Sequence, residues 1–264
     1  EIIKKYEPWL AHWESTSDNG QAHAINKGWK VSSGTFVSWI NSDDVLKPNA
    51  VTRVVDEFLK LPGLGMIYGD NEQIDENSNF LAVLHGKQVE FLEMLRTIYT
   101  PVPQPGSMIR RDTLDVVGYL NENWQVVLDR DFFVRFGQHF KMHYIPEALA
   151  QIRQHPEAKS LAERGKWVDE LPKMYKDYFA NDNLPSKIKV LKAETIGRAY
   201  LKAADIADKT GQPVLPKLLK AFFSFPTLIS HEMFSNLLRR WRNRNIMRPY
   251  YAFRHKLKVL LFPE

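Results

Sequence analysis

Cysteine is absent from these 264 residues, which excludes disulfides, thiolate metal sites and cysteine nucleophiles together. A cytoplasmic location suits such a chain. No apolar run approaches the roughly 20 residues that a membrane-crossing helix requires, and no Ser-His-Asp spacing offers a serine nucleophile with its base. Acid is missing from one long stretch: residues 233–263 hold eight Lys or Arg and no Asp or Glu. What remains is ordinary for a globular protein, with 44% apolar and 25% charged residues and a net charge of +5, enough chain for one large or two smaller domains.

The richest segment is SDNGQAHAINKGWKVSSGTFVSWINSDD, which ends an apolar run with two adjacent carboxylates, Asp43 and Asp44. Thr35 to Ile40 reads as a short buried strand, because β-branched and aromatic residues dominate it and Gly34 precedes it. The two acids then stand at the carboxyl end of that strand. Ligands of open α/β sheets bind there, and one or two carboxylates plus substrate phosphates are the usual coordination of Mg²⁺ or Mn²⁺. The same pair also fits a solvated turn ahead of a helix.

Strands and helices alternate downstream. Pro48 fits a first helical turn, and Val51, Val54, Val55, Phe58 and Leu59 share one face at i, i+3, i+4, i+7, i+8 spacing. Pro62 and Gly63 end that helix. Gly65 to Ile74 reads as a strand, Glu76 to Asn79 as a turn and Phe80 to Leu84 as its return. Gln88 to Ile98 reads as helical, Pro101, Pro103 and Pro105 impose an extended loop, and Ser107 to Ile109 re-enters as a strand. Asp129 and Asp131 then open a helix whose Phe132, Phe133, Phe136 and Phe140 are core. Asp129 there serves either as an acid with chemical work or as a favourable charge at the positive helix end.

Asp18, Gly20, Ala24, Asn26 and Gly28, followed by Asn41-Ser42-Asp43-Asp44, resemble the helix and N-S-D-D signature of the family 2 glycosyltransferases. Tyr68-Gly69-Asp70, Pro103-Gln104-Pro105-Gly106, Gly118 with Asn121-Glu122, Asp129-Arg130-Asp131 and Arg153-Gln154-His155 follow in that family's order. The resemblance covers about residues 1 to 160. It implies an α/β fold of GT-A type, a Rossmann-like mixed sheet flanked by helices that binds a nucleoside-diphosphate sugar, and an inverting, metal-dependent transfer. By resemblance Asp44 and Asp43 hold Mn²⁺ or Mg²⁺, with Asp43 also touching the nucleotide sugar and His155 meeting the metal or diphosphate. The resemblance implies that Asp129 is the base that takes the acceptor proton, although Leu128 stands where many relatives have Glu. Asp18, Asn26 and Lys27 line the donor pocket, and Tyr68, Asp70, Gln104 and Asp131 face the donor sugar or acceptor, with Arg110 shaping the acceptor cleft. The residues themselves leave plainer roles open: turn formers at Asp18 and Asp70, a loop holder at Asn26 and a solvated histidine at His155. The donor expected by resemblance is a UDP-sugar, with dTDP and GDP as alternative nucleotides, and the acceptor a saccharide or lipid-linked sugar of surface polysaccharide or glycolipid synthesis.

Glu1 to Tyr6 reads as the interior of a helix, and the resemblance implies a first βαβ unit, about 30 residues or more, ahead of it. A second reading follows, in which these residues are a catalytically incompetent fragment or binding module keeping part of the fold. The expected division is a glycosyltransferase domain at 1–160 and a helical extension at 161–264, where Lys187 to Asp208 is rich in helix formers and Thr210-Gly211-Gln212-Pro213 stops the pattern. The basic segment 233–263 carries Trp241, Tyr250, Tyr251, Phe253 and Phe262 among its cations. That mixture fits an anionic membrane surface at the inner face of a membrane, or a packed helix with a solvated basic side. Nucleic acid is not expected, since no binding motif accompanies the charge.

Overall fold

The structure, a computed structural model, describes residues 1–98, 101–155 and 157–253. Residues 254–263 of the expected basic segment lie outside the described residues. Two compact units divide the chain, one comprising residues 1–91 and 100–158, the other 92–99 and 159–264.

The first unit is built on a six-stranded mixed sheet. Its strands are β1 (Phe36–Val37), β2 (Val45–Leu46), β3 (Met66–Ile74), β4 (Phe80–Leu84), β5 (Met108–Arg110) and β6 (Met142–Arg153), in the order β1-β5-β3-β6-β2, with β4 also pairing with β3. Only β3 and β6 pair in parallel; the other ladders are antiparallel. Helices α1 (Gln21–Val31), α2 (Ala50–Lys60) and α3 (Leu128–His139) flank it. The β3–β6 ladder shifts register at Gly69 and Asp70. A Cβ on Gly69 would lie 2.5 Å from the Glu147 carbonyl oxygen, so only glycine permits this approach.

The expected hairpin is present, with β4 returning along β3. Other boundaries moved for local reasons. β1 is two residues long because after Val37 side chains replace the ladder: the Ser38 hydroxyl donates to the Ser107 carbonyl at 2.6 Å and the Gln104 amide to the Trp39 carbonyl at 2.7 Å. The helix expected from Gln88 begins at Phe91. Gln88 instead acts as a short strand edge, its amide donating to the Met142 carbonyl at 2.9 Å and its oxygen accepting the Tyr144 N–H at 3.0 Å.

On α2 the buried stripe is narrower than the periodicity suggested. Ala50, Val54 and Phe58 are buried, but Val51 and Leu59 are exposed. Val54 and Phe58 pack on Ile67, Met108, Ile145 and Leu149, one row of contacts against one sheet face. Phe36 stacks on Phe58 with ring centres 4.5 Å apart. On α3, Phe132, Phe133 and Phe136 are core, as their spacing implied. Trp29 joins them, 5.5 Å from Phe132 and 5.4 Å from Trp39.

The second unit is helical, with α4 (Trp167–Tyr178), α5 (Lys192–Thr210), α6 (Leu215–Ser224) and α7 (Glu232–Arg242). The expected stop at Gly211 is real: its φ is +75°, and its N–H bonds the Ala207 carbonyl, closing α5 in the left-handed cap that glycine adopts most readily. No helix among the described residues is long and apolar enough to cross a membrane.

Candidate active site

The N-S-D-D segment is a closed turn between β1 and β2. The Asp44 N–H donates to the Asn41 carbonyl at 3.2 Å, and Gln21, the first residue of α1, donates its amide to the Asn41 side-chain oxygen at 2.8 Å. Both Asp44 oxygens are engaged: one accepts the Asn41 amide at 2.9 Å, the other the Arg153 backbone N–H at 3.1 Å. Burial raises the Asp44 carboxyl above the ordinary carboxylate range, against those two hydrogen bonds, and the Asp43 charge adds to the rise.

Asp43 is the more open acid. Its Oδ2 lies 3.0 Å from Nε2 of His155, and its backbone carbonyl accepts Nε of Arg153 at 3.1 Å. Arg153 reaches further, donating to the Asp75 carbonyl at 2.8 Å and the Ser78 hydroxyl at 3.1 Å. This strap joins the acidic turn, the end of β6 and the β3–β4 turn. The structure therefore unites Asp43, Asp44 and His155, expected together, and adds Arg153.

A carboxylate oxygen and an imidazole nitrogen 3.0 Å apart form an edge that a small divalent cation can share. Among the described residues no group of three or more His, Cys, Asp or Glu side chains is positioned around one metal. The fit is to a cation whose remaining ligands are phosphate oxygens and water, the habit of Mg²⁺ and its relatives.

Asp129 sits in the first turn of α3. Burial raises its carboxyl, and the Arg130 N–H, donating at 2.7 Å, together with the Arg130 charge opposes the rise without cancelling it. Asp131, two residues on, is bound differently. It is buried and pairs with Arg135 at 2.8 Å, and that guanidinium also donates to the Val117 and Tyr119 carbonyls. Its carboxylate is thus held within a network that fixes the loop ahead of α3.

Asp70 lies on β3 at the register shift. It accepts the Tyr144 hydroxyl at 2.6 Å, the Gly86 N–H at 2.8 Å and Nδ1 of His85 at 2.9 Å. Burial alone would raise its carboxyl, but the hydrogen bonds from Tyr144, His85 and Gly86 outweigh it and leave Asp70 below the ordinary range. Tyr144 is pushed up to about 12 by burial and then by Asp70. Tyr68 is fully buried, its hydroxyl donating to the Lys87 carbonyl at 2.7 Å.

The expected donor-pocket residues divide. Asp18 accepts the Gly20 N–H at 2.9 Å and, with Lys27, Lys30 and Trp13, lines a cleft of about 430 Å³ beside α1. Lys27 pairs with Glu14 and donates to the Thr16 hydroxyl at 2.9 Å. Asn26 points elsewhere. Its amide donates to the Leu120 carbonyl and the Glu122 carboxylate, each at 2.9 Å, and its oxygen accepts the Leu120 N–H at 3.0 Å. It pins the 120–122 loop to α1. Gln104 holds Trp39, and Arg110 pairs with Asp112 and donates to the Pro62 carbonyl at 3.1 Å.

Sequence reasoning gave no role to Lys47, Glu72, Gln151, Arg153, His85 or Tyr144. Lys47 pairs with Glu72, which also accepts the Gln151 amide at 2.9 Å. Arg153 stands in the Arg153-Gln154-His155 motif, and nothing local in the sequence marks His85 or Tyr144, which meet Asp70 across 15 and 74 residues.

A curled mixed sheet with flanking helices and an acidic turn at a strand end defines a GT-A type glycosyltransferase fold. The Staphylococcus aureus TarS 1–349 structure shares it, with a TM-score of 0.58 at 15% identity, covering 88% of this chain and 68% of that one. Residues 1–118 match the model of Glycosyl transferase family 2. It is 28% identical over 160 residues to the O-antigen biosynthesis protein RfbC of Myxococcus xanthus, an overlap of 60% of this chain and 12% of that protein. Over 213 residues, 76% of each chain, it is 24% identical to YwdF of Bacillus subtilis, described as an uncharacterized glycosyltransferase. The chain spans a quarter or less of the length of several curated relatives it matches.

Proposed function

We propose that this protein is an inverting glycosyltransferase that moves a sugar from a nucleoside diphosphate, with UDP as the expected nucleotide, to a saccharide or lipid-linked acceptor of surface polysaccharide or glycolipid synthesis. The observation that carries the reading is the Asp43–His155 pair on the turn that Arg153 braces, in a family 2 domain. Asp43 and His155 would hold Mn²⁺ or Mg²⁺, with Asp44 holding the turn that presents them. A bound divalent cation supplies Lewis-acid stabilisation of the departing diphosphate.

Asp129 fits the base. As the acceptor oxygen bonds to the anomeric carbon and the bond to the diphosphate breaks, the hydroxyl proton passes to its carboxylate. A raised pKa strengthens that base, which is what burial does here. Attack opposite the leaving group inverts the anomeric centre. Asp18 and Lys27 are the proposed donor contacts in the cleft beside α1, and Asp70, held by Tyr144 and His85, the proposed contact to donor sugar or acceptor.

The test is calorimetric titration of UDP with and without Mn²⁺. Metal-dependent binding that disappears in Asp43→Asn supports the reading. Binding of equal strength in the absence of metal, or in Asp43→Asn, would overturn the metal assignment.

A further inference from the structure

The carboxyl-terminal helix of the second unit has an apolar face that the described residues leave uncovered. Its first part, α7, is seated: Phe234 and Leu237 are buried. Asp208 on α5, whose carboxylate is nearly buried, receives Arg240 at 3.1 Å and Arg244 at 2.9 Å, clamping the helix at this point. Residues 243–247 then widen into a π-turn, and the helix continues through residue 253. Pro249 explains the widening, since it has no N–H to offer the Asn245 carbonyl and its ring crowds that turn. The Asn245 amide donates back to the Trp241 carbonyl at 2.9 Å within the widened segment.

Beyond the clamp the helix is exposed almost all round. Ile246, Tyr250 and Phe253, at i, i+4 and i+7, are 50%, 54% and 63% exposed, and Tyr251 beside them is 56% exposed. Arg242 and Arg248 are exposed and have no carboxylate partner among the described residues. Residues 233–253 include five arginines and no acid.

We infer that residues 239–253 form an interfacial helix that lies on an anionic lipid surface, with Ile246, Tyr250, Tyr251 and Phe253 entering the headgroup layer and Arg242 and Arg248 meeting lipid phosphates. Charge decides between occupants. A second copy of this chain brings the same basic helix and a net charge of +5, so the cations would face cations. A nucleic acid neutralises the arginines but leaves Ile246 and Phe253 in water. An anionic bilayer satisfies both, because basic residues beside an aromatic and aliphatic stripe match its charged plane and acyl boundary. No helix among the described residues is long and apolar enough to cross a membrane, so the inferred placement is in the plane. This inference stands independently of the transfer reaction.

The experiment is co-sedimentation of the full 264-residue chain with vesicles of phosphatidylcholine alone and with roughly one third phosphatidylglycerol, with no sugar nucleotide present. Binding is expected only to the anionic vesicles and to weaken as salt rises. Arg242→Glu with Arg248→Glu should lower the partition by at least about tenfold, given roughly fivefold for each cation removed. A second variant, Tyr250→Ser with Tyr251→Ser and Phe253→Ser, should lower it comparably, and circular dichroism should show both variants as helical as the parent. Equal binding to neutral vesicles, or unchanged binding in either variant, would overturn the inference. So would a dimer in sedimentation equilibrium that the serine variant abolishes, or retention on duplex DNA or RNA, in a chain that ignores vesicles.

Discussion

His155 and Asp43 meet across 112 residues of sequence, with Nε2 of one 3.0 Å from Oδ2 of the other. Each is partly exposed, while the adjacent Asp44 has both oxygens occupied within the protein. The proposed division of labour rests on this contrast: Asp44 is engaged within the turn, and Asp43 with His155 is the more exposed pair. Replacing His155 by Ala should therefore weaken Mn²⁺-dependent UDP binding by about 10- to 100-fold, the range for lost metal-site partners. Calorimetry at saturating metal measures it, and an unchanged affinity in His155→Ala removes the histidine from the site.

Asp44→Asn should act more through the turn than through charge. The amide keeps one acceptor for the Arg153 N–H but places donors against the Asn41 amide. A loss of about 1–2 kcal/mol of stability is expected, read as a lower denaturation midpoint with unchanged urea dependence. A variant as stable as the parent that loses only metal binding would return Asp44 to the role of direct ligand.

Asp129 makes a prediction about pH. Its carboxyl is raised in the folded protein, so the folded state binds the proton more tightly than the unfolded chain. This group therefore lowers stability as pH climbs from the ordinary aspartate range through its raised value, and is neutral below that range. Asp129→Asn should raise the melting temperature at pH 7 and leave it unchanged near pH 3, while removing transfer and sparing donor binding. Scanning calorimetry across that range decides the first point. Loss of UDP affinity in the variant would count against the base assignment.

Asp70 has the opposite sign. Its carboxyl is lowered in the fold, so its contribution is present above the ordinary aspartate pKa and fades as pH falls through the lowered value. Tyr144→Phe, which removes a 2.6 Å bond to this buried carboxylate, should cost about 1.5–3 kcal/mol at pH 7 and little once Asp70 is protonated. Urea titrations of both proteins at pH 7 and near pH 2 show whether the difference closes.

Asn26→Ala tests a structural assignment. Three hydrogen bonds between α1 and the 120–122 loop disappear, leaving the Leu120 backbone groups without that partner. A loss of about 3 kcal/mol is expected, with residual UDP affinity in the folded fraction. An intact fold with lost nucleotide binding would instead make Asn26 a donor contact.

Much of the candidate site's local structure was legible because its parts are short, local and typed. The adjacent acids at a strand end, the aspartates opening α3 and the hairpin after β3 are patterns of a few residues. Other features needed the tertiary structure. Gln88 belongs to a helical pattern in sequence, yet two backbone groups of β6 claim its side chain. Val51 and Leu59 have the periodicity of a buried face, but only one row of α2 meets the sheet.

The sequence by itself determined the class of fold, the candidate acids for the proposed metal and proton chemistry, and the cation-rich carboxyl-terminal segment. These depend on residue type and spacing, which are properties of the chain. Only the tertiary structure decided which acid is engaged and which is open, that Asn26 and Asp131 hold loops, that Tyr144 and His85 complete the Asp70 cluster, and that the described residues leave an apolar stripe around Ile246 and Tyr250 exposed. Hydrogen bonds and burial act across whatever folding brings within about 3 Å, and that proximity is not written in local spacing.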